Sequence, residues 1–211
     1  MSSKIGIIDY QMGNLRSVQK AFEKNGFAAE IFSDPNQMAT FDKVVLPGVG
    51  AFRDAISEIR QRDFANPIRE WIAADKPFLG ICLGLQMLFE KSFEDGEYDG
   101  LGIIQGDVVK FDLPKNFKVP HMGWNQIQRS HAFHNFPSIE NATHFYFVHS
   151  YYVRPTDESI VAFTANYGID FCAAISRGNL FASQFHPEKS QDSGLDLLKH
   201  FADETNIPST L

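Results

Sequence analysis

Cysteine is scarce. Cys82 and Cys172 are the only two in 211 residues, ninety positions apart. That excludes a disulfide-stapled scaffold and a thiolate metal cluster, which need denser cysteine at short spacings. Positive charge is also short: 19 Lys and Arg stand against 26 Asp and Glu, for a formal net charge of -7. Nonspecific nucleic-acid binding needs a basic face, so no nucleic-acid partner is expected. Long apolar runs are missing. The longest nearly apolar stretch, residues 78–89, holds two glycines and a glutamine, whereas a membrane-spanning helix needs roughly 20 apolar residues. No membrane association is expected. The opening Met1-Ser2-Ser3-Lys4 runs into an apolar segment without the layout of a signal peptide. The expected location is therefore the cytoplasm, where thiols stay reduced. The triplet Asn141-Ala142-Thr143 then reads as a chance match to a glycosylation site. With 15 glycines and 10 prolines the chain is neither collagen-like nor of low complexity. What is present is 44% hydrophobic and 21% charged residues, enough for one domain with a substantial core. Phenylalanine alone is abundant, at twenty, which suggests a large aromatic core or a sticky surface.

The first half of the chain alternates short apolar runs with helical periodicity. Residues 5–8, 28–32, 43–46 and 78–81 read as strands. Leu15, Val18 and Phe22 form one helix face, with Asn14 as a cap and Gly26 as a stop. Phe52, Ile56 and Ile59 form a second face, residues 68–74 a third helix, and a Leu-rich helix starts at Leu83. Beyond about residue 100 the pattern changes. Residues 103–111, 125–128, 144–153, 160–165, 171–176 and 180–185 read as strands with few helices between them, which favours antiparallel hairpins. A last helix over 192–204 buries Leu195, Leu198, Phe201 and Ala202. The expected fold is a single α/β domain over 1–211, with a mixed, mostly parallel central sheet flanked by helices and a flavodoxin-like core.

Cys82 sits in Gly80-Ile81-Cys82-Leu83-Gly84, between a strand and a helix. This is the cysteine form of a nucleophile elbow, whose tight turn leaves room only for glycine at the flanking positions. A helix start beneath the sulfur favours the thiolate, and the Leu83 N–H points to where an oxyanion would develop. A buried cysteine at a close-packed junction fits the motif alone about as well. Cys172, in Phe171-Cys172-Ala173-Ala174, has no such frame and reads as core.

A nucleophilic cysteine needs a base held by a third group. Gln184-Phe185-His186-Pro187-Glu188-Lys189 ends the last apolar run. In extended chain His186 and Glu188 project to one side, so Glu188 can hold one imidazole nitrogen while the other faces Cys82. Of the seven histidines, His131 and His134 lack the further ligands a metal requires and read as a surface loop. His149 is a candidate to line the pocket, and no metal is expected. The Gly-rich Leu46-Pro47-Gly48-Val49-Gly50 opens a helix without the Lys-Ser/Thr of a phosphate loop. It suits donation of backbone N–H groups to an oxyanion, with Val49 or Gly50 as donor; the plainer reading is a helix-entry turn.

Taken together, Gly-Ile-Cys-Leu-Gly-Leu-Gln, the late Gln-Phe-His-Pro-Glu and the Pro-Gly-Val-Gly loop resemble the class I glutamine amidotransferases. Asp9 to Val18, Val119 to Asn125 and Val148 to Tyr151 resemble, more narrowly, the members that feed a cyclase of histidine biosynthesis. Gln11 stands where members usually have glycine. The resemblance implies a glutaminase without cofactor. Cys82 attacks the side-chain amide of L-glutamine, His186 transfers protons and Glu188 orients His186. Val49 and Leu83 form the oxyanion hole, and Gly48, Gly50, Gln86, Ser150 and Tyr151 hold glutamine. Ammonia then passes to a synthase subunit, a (β/α)8-barrel cyclase bound as a heterodimer, which makes imidazole glycerol phosphate and AICAR. Asn14, Trp124, Asn125 and Lys189 are expected at that interface. A paralogous subunit serving sugar amidination, or a stand-alone cysteine amidohydrolase, are the alternatives.

Overall fold

The computed structural model describes residues 3–130 and 139–203. The alternating first half forms β1 (Ile5–Ile8), α1 (Leu15–Lys24), β2 (Ala29–Phe32), β3 (Lys43–Gly48), α2 (Phe52–Gln61), α3 (Ala65–Ala73), β4 (Phe78–Cys82) and α4 (Leu83–Gln86). Then come β5 (Phe89–Ser92), β6 (Tyr98–Asp99), β7 (Ile104–Lys110), β8 (His121–Arg129), β9 (His144–His149) and β10 (Tyr151–Pro155). The chain closes with β11 (Val161–Asn166), β12 (Asp170–Arg177), β13 (Leu180–Ser183) and α5 (Gln191–Asp203). The sheet runs β2-β1-β3-β4-β13-β12-β10-β7-β5-β6, with β11, β8 and β9 attached beside β12. Strands β2, β1, β3, β4 and β13 are mutually parallel. The later hairpins are antiparallel, as their sparse helices predict.

Period-two alternation explains the layers. In β3, Val44 and Leu46 join one apolar cluster and Val45 joins the other. In β4, Phe78 faces the first cluster while Leu79 and Ile81 face the second. Helices α2 and α3 cover the first face through Phe52, Ile56, Ile59, Ile68 and Trp71. Helices α1 and α5 cover the second through Val18, Phe22, Leu197, Leu198 and Phe201. Strands buried on both faces need continuous apolar sequence, which β1, β3 and β4 have. Lys43 is the exception. It is only 2% exposed, and its ammonium donates to the carbonyls of Phe201 and Ala202 at 2.7 and 2.8 Å. A cation on the last carbonyls of α5 satisfies orphan acceptors and suits the helix dipole.

Several expectations change in detail. The Leu-rich helix at Leu83 lasts one turn and is followed by β5 and β6, two strands that the sequence reading does not include. The run over 144–153 is two strands broken at Ser150. In α5, Leu195 is only partly buried, and Gly194 and Leu197 take its place in the core. Asn14 stands at the N-cap of α1, but its side chain makes no capping bond. His131, His134 and Glu204 lie outside the described residues. Among the described residues no helix is long and apolar enough to cross a membrane.

Candidate active site

The sheet order assembles the site. Strand β4 lies between β3 and β13, all three parallel. Gly48 pairs with Cys82, and Ser183 with Ile81. The Gly-rich loop, the elbow and the Gln184–Glu188 segment therefore leave the sheet side by side at its C-terminal edge, where open α/β sheets place their ligands.

Cys82 has φ +55° and ψ -106°. A side chain in that region costs about 1–3 kcal/mol and persists only where the surroundings enforce it. The glycines provide the enforcement. A Cβ on Gly84 would stand 2.0 Å from the Leu46 carbonyl oxygen, and one on Gly80 2.9 Å from the Ala182 Cβ. Gly84→Ala should therefore lower stability by roughly 3 kcal/mol, as overpacking does, and the melting temperature by roughly 6–12 °C for a chain of this size. Thermal unfolding of the variant measures this; a melting point within 2 °C of the parent would show that the turn relaxes freely.

His186 is 1% exposed. Its backbone N–H donates to the Tyr146 carbonyl, and its own carbonyl accepts from the Ser190 hydroxyl at 2.6 Å. Its Nδ1 lies 2.8 Å from Oε1 of Glu188, and both side chains are buried. The expected extended His-Pro-Glu run is replaced by a 3-10 turn over Pro187–Lys189, with proline in the first turn. Pro187 has no N–H to lose there, and the turn folds Glu188 back onto the imidazole. Burial pushes the imidazole pKa down, but the Cys82 sulfur and the Glu188 carboxylate outweigh it and raise it to about 10. His186 thus carries its second proton at neutral pH. Its Nε2 has no hydrogen-bond partner among the described residues, which leaves that N–H free to serve a reacting group. Because α4 is one turn long, this imidazolium, rather than a helix dipole, is the main positive charge beside the sulfur.

These groups open onto a cavity of about 270 Å³ lined by Val49, Gly50, Cys82, Leu83, Gln86, Glu94, Pro120, Val148, His149, Ser150, Tyr151 and His186. Its size suits a small ligand, since drug-sized ligands occupy roughly 300–1,000 Å³. Nine of the residues singled out in the sequence meet here. Gly48 does not line the cavity: a Cβ there would stand 2.6 Å from the Tyr10 hydroxyl and 2.8 Å from the Leu83 Cβ. Glycine at 48 thus lets the loop strand close onto the elbow.

Further residues gather around the site, and of these only His149 is expected there from the sequence. Glu94 sits on the loop after β5, and its Oε2 accepts the Phe52 N–H at 2.7 Å. Gln184 is fully buried and its Nε2 donates to the Cys82 sulfur at 3.6 Å. His121 and His149 are a buried pair, with Nδ1 of His121 3.0 Å from Nε2 of His149. Nδ1 of His149 lies 2.8 Å from the Tyr151 carbonyl, which can only accept. That fixes the tautomers: His149 donates through Nδ1 and accepts at Nε2, so His121 donates to it. Burial pushes His121 down to about 4 and His149 down to about 3, so both are neutral. Gln11 has φ +72° and its N–H donates to Asp9 Oδ1 at 2.9 Å, so it occupies a left-handed position that glycine would fill without strain. Cys172 is core, as expected; burial pushes its thiol up to about 12.

Of the expected interface residues, Trp124 is 48% exposed, while Asn14, Asn125 and Lys189 are half-buried. Asn125 also donates to the Asn166 carbonyl at 2.9 Å. Val49, Phe93, Val119, Met122 and Trp124 are the exposed large apolar residues among those described. Val49 lines the cavity, and Phe93 and Val119 adjoin its lining residues Glu94 and Pro120. Met122 and Trp124 stand two apart on β8 and share one face.

The family model "Glutamine amidotransferase class-I" matches residues 6–204. A protein of Rhodopirellula baltica named "Imidazole glycerol phosphate synthase subunit HisH" is 62% identical over 198 residues, spanning 94% of this chain and 96% of that protein. One of the same name from Geobacter metallireducens is 52% identical over 203 residues, covering 94% and 97%. Among solved structures, PurLQS from Thermotoga maritima superposes with a TM-score of 0.74 at 17% identity, over 95% of this chain and 98% of that one. A glutamine amidotransferase crystal structure gives 0.71 at 18% identity, covering 93% and 96%.

Proposed function

Because this chain belongs to the class I glutamine amidotransferase family, we propose that Cys82, His186 and Glu188 are its catalytic triad. The chain works as the glutaminase subunit of an imidazole glycerol phosphate synthase in histidine biosynthesis, together with a cyclase partner. One observation carries the triad reading: a strained elbow cysteine and a carboxylate-held imidazole meet in one cavity at the ends of adjacent parallel strands. We read the chain as one glutaminase domain, of which the family model matches residues 6–204.

In this reading the Cys82 sulfur attacks the side-chain amide carbon of L-glutamine. The oxyanion that forms is held by the N–H groups of Val49 and Leu83. His186 gives a proton to the leaving nitrogen, so ammonia departs and a γ-glutamyl thioester remains. His186 then takes a proton from water, whose oxygen attacks the thioester and releases glutamate and the thiolate. Gly50, Gln86, Ser150 and Tyr151 line the space for the substrate, with Gly48 supporting the loop. Glu94 offers a carboxylate at the cavity wall to the substrate's ammonium end.

Only neutral ammonia is nucleophilic, and at neutral pH released ammonia is mostly ammonium. Delivery into a docked partner avoids that loss. The partner in this reading is a (β/α)8-barrel cyclase, forming a heterodimer. Val49, Phe93 and Val119, at or beside the cavity, suit a docking face, to which we also assign the exposed Met122 and Trp124 and the half-buried Asn14, Asn125 and Lys189. A reduced cytoplasm suits a free-thiol nucleophile, and we place the enzyme there.

The test is the glutaminase rate of the purified chain alone and with the cyclase holding its ribonucleotide ligand. Stimulation of roughly tenfold or more is expected, within the span of ordinary coupling energies. Equal rates would remove the coupled-subunit reading.

A further inference from the structure

We propose that Gln184 is a fourth functional residue of the site, resting on the triad reading above: its amide N–H stabilises the Cys82 thiolate and fixes the direction of the sulfur. The orientation of the amide follows from the atoms around it. The Tyr151 carbonyl can only accept, so the Gln86 group 3.0 Å from it is the amide nitrogen. That same nitrogen lies 3.0 Å from the Gln184 side chain, which must therefore present its oxygen to Gln86. The nitrogen of Gln184 is then the group left facing the sulfur, at 3.6 Å. Neither amide can turn over without setting a donor against a donor or an acceptor against an acceptor.

The setting makes that one contact count. Gln184 is 0% exposed and Gln86 4%. In a water-poor site a hydrogen bond to an ionised acceptor is stronger than one between neutral groups. A thiol gains little from an N–H donor, whereas a thiolate gains much, so the contact favours the reactive form. The backbone N–H of Gln184 is tied to the Ala173 carbonyl at 2.8 Å. Gln184 and His186 are two residues apart at the end of β13, and both act on the sulfur of Cys82. One strand end thus supplies the fixed donor and the movable proton. A second anchor runs the other way: the Tyr151 carbonyl also accepts from His149, which is held by His121. The amide pair is therefore seated on a buried polar chain rather than on mobile side chains.

The experiment is alkylation of the full chain by iodoacetamide as a function of pH in the parent and in Gln184→Met, which keeps the volume and removes the donor. Alkylation near neutral pH is expected to slow roughly tenfold, with the two rates converging at high pH, where the thiol ionises without help. In the complex with the cyclase, kcat for glutamine should fall by a similar factor while KM stays within twofold. Equal rates near neutral pH, or a loss of the same size at every pH, would overturn the proposal and leave Gln184 as packing. If Gln184→Met does not fold, Gln86→Leu with Gln184→Leu replaces both halves of the buried pair by apolar groups. Removing both partners can be nearly neutral for stability, and the same slowing is expected of the double variant. The triad reading fails separately, if alkylation of the parent at Cys82 leaves glutamine hydrolysis intact.

Discussion

Cys82→Ala is expected to lose glutamine hydrolysis by about 10,000-fold or more, because what remains after removal of a nucleophile is only binding and oxyanion stabilisation. The loss is confined to one half of the reaction. Supplied with an ammonium salt at mildly alkaline pH, the variant in complex with its cyclase still turns over, since the ammonia no longer has to come from glutamine. Folding changes little. Alanine carries the same Cβ as cysteine, so the φ of +55° at this position costs the variant what it costs the parent. The cavity wall loses one sulfur atom, from a residue that is 7% exposed. Steady-state assays with glutamine and with ammonium chloride, beside a melting curve, separate these effects. Glutamine-dependent turnover within tenfold of the parent would displace Cys82 as nucleophile. Loss of the ammonium-dependent rate as well would point to a damaged complex.

How much of this was legible in the sequence depended on whether the cause was local. Strand β1, at Ile5–Ile8, and the face of α1 follow from apolar periodicity. The elbow follows from two glycines that a turn at Cys82 cannot replace. The contact between His186 and Glu188, on which the proposed triad rests, was legible because they lie two residues apart, although the geometry joining them is a proline-led turn and not the extended chain expected. Long-range consequences were not legible. Helix α4 ends after one turn because Phe89–Ser92 is recruited as a strand beside β7, a pairing with no local signal. Gln184 was visible only as the first letter of a motif; its role depends on Gln86, 98 positions away in the chain. The His121–His149 pair joins residues of two strands whose register sets them opposite each other. The phenylalanines turned out to be mostly core, in stacks such as Phe145 on Phe185 at 4.1 Å, with Phe93 left on the exposed face.

Glu188→Gln tests the other half of the machinery, and its effect divides into rate, pH profile and stability. The carboxylate accepts the Nδ1 proton of His186 at 2.8 Å and thereby keeps Nε2 for the reacting groups. An amide in its place can turn its NH₂ toward Nδ1 and so favour the opposite tautomer. The equivalent change in a serine protease triad costs about 10,000-fold. Here the sulfur itself attracts the proton to His186, so a loss of roughly 100- to 10,000-fold in kcat is expected. The pH profile moves in a definite direction. The parent imidazole is raised to about 10, with burial opposing and Cys82 and Glu188 prevailing. Without the carboxylate it gives up its proton at lower pH, so the alkaline limb of the activity profile shifts toward neutrality. Stability follows the same linkage. A histidine whose folded pKa lies above its unfolded value of about 6.5 stabilises the fold fully below that pH. The contribution is lost as pH rises through about 10. Glu188→Gln should therefore be less stable than the parent by roughly 2 kcal/mol at pH 6, the scale of a hydrogen bond to a charged group, and the gap should close toward pH 10. Urea unfolding at the two pH values decides it. A stability gap that is the same at both would mean that Glu188 supports the fold by packing and not by holding a charged imidazole.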